Sequence, residues 1–186
     1  MSKRVVVIGV SAVLVVALAV GLYLFQPWRV FTNTTANEAL LVPTSTPTST
    51  PTSTAVEPTA STPVVTTTTT PAGPVALASG PFRSLEHATT GSATLVRLPG
   101  GGHAVQFAAL DTSDGPDLYV YLSDKASDSA EAAFGSGFTN LGKLKANQGN
   151  QVYEVPAGTD LTGVRSVVIW CARFSAGFAV APLEQT

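Results

Sequence analysis

Residues 5–25, VVVIGVSAVLVVALAVGLYLF, run for 21 positions without a charge. In lipid such a run has one stable solution, a helix whose main-chain groups bond one another, and at about 1.5 Å per residue it spans the roughly 30 Å hydrocarbon core of a bilayer. Lys3, Arg4 and the amino terminus precede it, whereas only Arg29 follows closely. That asymmetry holds residues 1–4 in the cytoplasm and sends the rest of the chain outside, with Tyr23 and Trp28 suited to the outer interface. The competing reading is a cleaved signal peptide, whose apolar region should end after about 7 to 15 residues at a small-x-small site. Here the exit is Gly21-Leu22-Tyr23-Leu24-Phe25-Gln26-Pro27-Trp28, longer and bulkier. The expectation is therefore a single-pass, uncleaved signal-anchor in the cell membrane. No cysteine directly follows the segment, which excludes a lipid-modified lipoprotein.

Beyond the helix the composition changes twice. Residues 32–74 are dominated by Thr, Ser and Pro, as in PTSTPTSTPTST, and are poor in aromatic and large aliphatic residues. Such a tract cannot bury enough surface to offset chain entropy and predicts a disordered stalk, extended by its prolines to a reach on the order of 100 Å. Its composition fits an O-glycosylated stalk and a bare tether equally. A net charge of -2 with 12% charged residues supplies no basic surface for nucleic acid.

From 76 to 184, turn signals alternate with short runs rich in Val, Leu, Phe, Tyr and Trp, which predicts an all-β domain, an antiparallel β-sandwich or barrel. The expected strands are 82–87, 92–98, 103–110, 117–122, 138–144, 151–155, 164–174 and 178–182. Alternation in Asp117-Leu118-Tyr119-Val120-Tyr121-Leu122 puts Leu118, Val120 and Leu122 on a core face and Asp117, Tyr119 and Tyr121 on an exposed one. Val167 to Phe174 is apolar on both faces and belongs near the middle of the fold.

The only cysteine, Cys171, lies in that strand. In an oxidising compartment a single thiol is either packed as a small hydrophobe, bonded to another chain, or used chemically. By alternation Arg173 shares its face and is a candidate to stabilise a thiolate, which could also ligate a metal or haem iron. Of the two histidines, His87 is of interest if folding brings it to Cys171; neither it nor His103 sits in a metal-binding spacing. Asp111, Asp114 and Asp117 share one loop that either holds calcium through oxygen or forms a turn around Gly115-Pro116, and the turn explains it more simply. There is no G-x-S-x-G elbow to support a hydrolase.

Four ordered blocks, Gly115-Pro116-Asp117-Leu118-Tyr119-Val120-Tyr121-Leu122, Leu141-Gly142-Lys143-Leu144-Lys145, Gln151-Val152-Tyr153-Glu154-Val155-Pro156 and Ser166 to Phe174 with its Trp170-Cys171 pair, resemble the DM-thirteen domain family known from Skeletor-type proteins. The resemblance covers about residues 76–184. It implies an all-β extracytoplasmic domain proposed to act in electron transfer, with Cys171 as a bare thiol or a ligand to a prosthetic group, haem being one candidate, and with His87 where the family usually carries histidine. The chain departs from its relatives in Gln106-Phe107-Ala108-Ala109-Leu110, which lacks the charges often found before the Gly-Pro-Asp turn, and carries no DOMON or cytochrome domain. The resemblance thus implies a separate redox partner. A different class of function, contact with a cell-surface glycan or protein through Asp117, Tyr119 and Tyr121, follows from the alternation of that strand, because tyrosines supply flat amphipathic area.

Overall fold

The computed structural model describes residues 3–28, 32–43 and 73–185. Helix α1, Lys3–Phe25, exposes apolar side chains all round and is long and apolar enough to cross a bilayer. The remaining elements form a β-sandwich, not a barrel. The first sheet has the order β1-β8-β5-β4-β2-β11, built from Thr35–Asn37, Gln148–Glu154, His103–Asp111, Thr90–Arg97, Val75–Pro81 and Glu184–Gln185. The second is β3-β10-β9-β6-β7, from Arg83–Ser84, Ala176–Pro182, Ser166–Cys171, Leu118–Ser123 and Phe138–Lys143. All pairings are antiparallel except β1 with β8.

The expected alternation builds the main core, where Val105 and Phe107 of β5 meet Leu118, Val120 and Leu122 of β6 and Val167, Ile169 and Cys171 of β9. Phe107 anchors it, edge-on to Phe82 at 5.0 Å between ring centroids and tilted against Tyr153 at 5.2 Å. The predicted strand 82–87 divides at its start. Phe82 is buried at the crossing from β2 to β3, and its N–H bonds the Gly91 carbonyl (2.9 Å). The predicted strand 164–174 contracts to Ser166–Cys171, every residue of which is buried.

Burial on both sides of β9 requires a second cover. A 3-10 helix, Glu131–Gly135, folds over the outer face and inserts Phe134 beside Tyr121, Val168, Trp170 and Val180. It is fastened by the Gly177 N–H donating to Glu131 Oε1 (2.7 Å).

Residues 32–43, expected to open the stalk, instead clasp the first sheet. Asn150 O accepts from the Glu38 N–H (3.0 Å) and Thr34 O from the Gln148 N–H (3.1 Å), which flank the parallel pairing of β1 with β8. Gly149, at φ +95°, is required there because an added Cβ would run into the Ala36 carbonyl. Further on, Gln106 points away from the main core yet has no exposed surface, because Leu41 and Val42 cover it. Its Oε1 accepts from both their N–H groups (2.9 and 3.1 Å) and its Nε2 donates to Val42 O (2.9 Å). The physical reason lies in Ala39-Leu40-Leu41-Val42, an apolar run inside a polar tract that repays ordering by burial. Residues 44–72 of the expected stalk lie outside the described residues.

Glu38 ties the clasp to β8 through charge: Lys145 Nζ lies 2.7 Å from its Oε1, and the Val152 N–H donates to Oε2 (2.7 Å). The Lys145 hydrogen bond, then that of Val152, hold its carboxyl below its ordinary value near 4.5. A depressed carboxylate contributes stability above its unfolded-state value and loses it as pH falls through the folded one. Amide-exchange protection of Glu38 and Val152, corrected for intrinsic rates, is therefore expected to drop on acidification below about pH 4.5; protection that persists unchanged would deny Glu38 this role.

Candidate functional site

The Gly115-Pro116-Asp117 turn and the Trp170-Cys171 pair meet at one end of the sandwich, where β6 begins and β9 ends. Leu118 and Cys171 are register partners, and the Ala172 N–H bonds Asp117 O (3.0 Å). Cys171 is a free thiol with no accessible surface, packed in the main core that also holds Leu118 and Phe178. The Gly115-Pro116 turn lies directly on those two residues. A Cβ at Gly115 would stand 2.9 Å from Phe178 Cζ and 3.0 Å from Leu118 Cδ2, so only glycine permits the approach.

His87 reaches the same end. The Leu85 and Glu86 N–H groups donate to the carbonyls of Phe178 and Gly177 (both 3.0 Å), and the Thr89 hydroxyl donates to His87 O (3.1 Å). The imidazole stacks on Phe178 at 3.8 Å between centroids and 26° between planes. Folding thus makes the Phe178 ring, a member of the same core cluster as Cys171, the stacking partner of His87.

Arg173 does not join them. Strand β9 ends at Cys171, and residues 172–175 form a turn in which Ser175 takes φ +53°, so the alternation that placed Arg173 on the thiol's face is broken. Its guanidinium is exposed and donates to the Leu24 carbonyl in the last turn of α1. A thiolate-stabilising role for Arg173 is corrected accordingly.

The exposed tyrosine face is also corrected. Tyr121 is buried, with its ring flat on Phe138 at 3.9 Å and 5°. Burial pushes its phenol above the ordinary value near 10, with Tyr119 and Asp117 adding to the shift. Tyr119 is half-buried, 6.2 Å from Tyr121 by centroids, beneath Lys143 Nζ at 5.6 Å. Asp117 pairs with Lys143 (3.2 Å). The cover over β9 closes this face, and alternation within β6 carries no information about that cover.

The other carboxylates of the loop are engaged separately. Asp111 Oδ1 accepts from Gln148 Nε2 (3.1 Å), and Asp114 Oδ1 accepts from the N–H of the adjacent Gly115 (2.8 Å). Among the described residues no group of three His, Cys, Asp or Glu side chains is placed to hold a metal ion. His103 stands at the start of β5, opposite Arg97.

Two clefts flank the Asp114–Asp117 turn. One, of about 520 Å³, is lined by Thr34, Asp117, Lys143 and Lys145; the other, of about 270 Å³, by His87, Gly115, Phe174 and Phe178. Cys171 lines neither. A haem ligated by the thiolate needs an open approach to sulfur, and a thiol with 0% exposure beneath packed side chains does not provide one. These residues do not fit a prosthetic group held by Cys171 and His87.

The packing of the Gly115 turn on Phe178 escaped sequence reasoning, as did Gln106 and the Glu38–Lys145 pair. Only Leu40-Leu41-Val42, an apolar interruption before Pro43, could have signalled the clasp. The burial of Cys171 predicts a reactivity. Wild-type Cys171 should react with an aromatic disulfide reagent only as the domain opens. Phe178→Ala, at a cost of about 3–5 kcal/mol for a buried ring, should accelerate labelling in native buffer. A wild-type thiol that reacts at the rate of the unfolded chain would refute that burial.

Comparison with known proteins agrees with this arrangement. No curated protein and no solved structure matches the chain. Residues 81–183 match the family described as Electron transfer DM13, a span that takes in the whole second sheet and strands β4, β5 and β8 of the first. The match covers more than half of the sequence and contains the Gly-Pro-Asp turn, His87 and the Trp170-Cys171 pair in one continuous domain, and the chain therefore belongs to the DM13 family.

Proposed function

We propose that this protein is a single-pass membrane protein whose DM13 domain faces outward and takes part in electron transfer through thiol chemistry at Cys171. The observation that supports the reading is that the chain's one thiol is free and fully buried in the core cluster that also holds Phe178 and Leu118, the two side chains on which the Gly115 turn rests. Burial explains how a lone thiol persists reduced in an oxidising compartment, since neither a disulfide nor a peroxide reaches it in the closed fold. The anchoring reading rests on α1 and on the Lys3-Arg4 charge before it.

The chemistry that a bare thiol supplies is exchange. When Phe178 and the Gly115 turn move apart, Cys171 loses its proton and its thiolate attacks one sulfur of a disulfide on a separate partner. A mixed disulfide forms, and the partner's second sulfur leaves as a thiolate. A second thiol, from the partner or another molecule, then resolves the mixed disulfide and frees Cys171. Opening limits the rate, so exchange is gated by the fold.

Glutathione disulfide serves as the probe. Full-length protein in detergent should gain one glutathione adduct, on Cys171, slowly in the wild type and faster in Phe178→Ala. Cys171→Ser should gain none while keeping its far-ultraviolet circular dichroism. If Phe178→Ala also stays unmodified, or Cys171→Ser fails to fold, Cys171 is a packing residue and the proposal falls.

A further inference from the structure

The Thr/Pro tract leaves and rejoins the same sheet. On its N-terminal side the clasp is fixed by β1 on β8, by the Gln106 amide on Leu41 and Val42, and by Asn147, whose Oδ1 accepts from the Thr34 N–H (2.7 Å) and whose Nδ2 donates to Asn33 Oδ1 (2.8 Å). On its C-terminal side, Val75 opens β2 by pairing with Arg97 of β4. Only β8, β5 and β4 lie between β1 and β2, so at about 4.8 Å per strand the two are roughly 20 Å apart. Residues 43–74 have a contour on the order of 100 Å, all of it spent between two points of one domain.

Little chain lies between α1 and the clasp. Eight residues lie between Phe25 and Thr34, the first clasp residue bonded to Asn147 through its main chain, a span of at most about 30 Å fully extended. We infer that residues 32–43 clasp the DM13 domain close to the membrane surface, so that the domain is joined to α1 by the short stretch before Thr34 and residues 44–72 are not the spacer between them. This rests on the anchoring of α1 proposed above.

A second contact supports the short span. The Arg173 guanidinium donates to Leu24 O, one of the carbonyls that a helix leaves unpaired at its C-terminal end, where a cation also suits the helix dipole. Beside it, Phe174 stacks on Phe25 at 6.1 Å between centroids. These contacts come from the turn that ends β9 and are independent of the clasp.

The test uses the full chain in its membranes, with a site-specific protease sequence placed within residues 44–72 and a cysteine pair, Thr35→Cys with Gln148→Cys, at register partners of β1 and β8. After cutting, the two fragments should stay joined on a non-reducing gel, separate with reductant, and pellet together with the membranes. Adding Glu38→Lys with Val42→Asp, which alter only the clasp, should abolish the cross-link and release the cut domain into the supernatant. Fragments that part without reductant, as in a control pairing Thr35→Cys with the remote Ser129→Cys, would overturn the inference. So would retention of the cut domain by the clasp variant. Failure of anchoring reads differently: the uncut chain then stays in the supernatant, while the cross-link still reports the clasp.

Discussion

Strand β9 sets the terms for the rest of the molecule. Six consecutive residues, Ser166 to Cys171, are buried on both faces, and an antiparallel strand in that state demands apolar layers above and below it. The first sheet supplies one layer through Phe107 and Val105. A single sandwich leaves the other face open to water, and the chain meets that need with the 124–137 excursion, whose Phe134 has no exposed surface. The cover closes over Tyr121 as a by-product. The same strand ends at Cys171, where a turn replaces alternation and sends Arg173 toward α1.

The buried polar groups show how irregular segments are fixed to this frame. Gln151 has no exposed surface. It accepts from the Tyr153 hydroxyl (2.5 Å) and the Ala146 N–H (3.2 Å) and donates to Ala146 O (2.8 Å), which pins the loop between β7 and β8. Burial pushes the Tyr153 phenol far above its ordinary value, so it remains a donor. Gln106 performs the equivalent task for the clasp. A buried amide without partners costs about 1–3 kcal/mol, so each glutamine favours the one backbone path that satisfies it. Gln106 is thus the residue that receives the main chain of Leu41 and Val42.

Much of the site was legible beforehand because it is local. The Gly115-Pro116-Asp117 turn, the inward set Leu118, Val120 and Leu122, and the apolar strand through Cys171 follow from turn chemistry and period-two alternation, and they lie where expected. The sequence raised His87 only on condition that folding bring it near Cys171, and its stacking on Phe178 was not legible, since it depends on β3 pairing with β10 across many intervening residues. The exposure of Tyr121 and the direction of Arg173 were misread for one reason. Alternation states which residues share a face while a strand lasts, and it does not state where the strand stops or what covers its outside.

The sequence by itself determined an apolar helix at residues 5–25, an all-β domain, and a buried strand carrying the one thiol, because hydrophobic periodicity and uncharged length act over neighbouring residues. Tertiary structure alone decided that residues 32–43 belong to the sheet, that the Gly115 turn rests on Phe178 and Leu118, and that Tyr121 is internal. Each of those outcomes depends on surfaces distant in the chain meeting with matched shape and satisfied hydrogen bonds, such as Ala36 against a residue without a Cβ at Gly149, and no window of neighbouring residues contains both sides of such a contact.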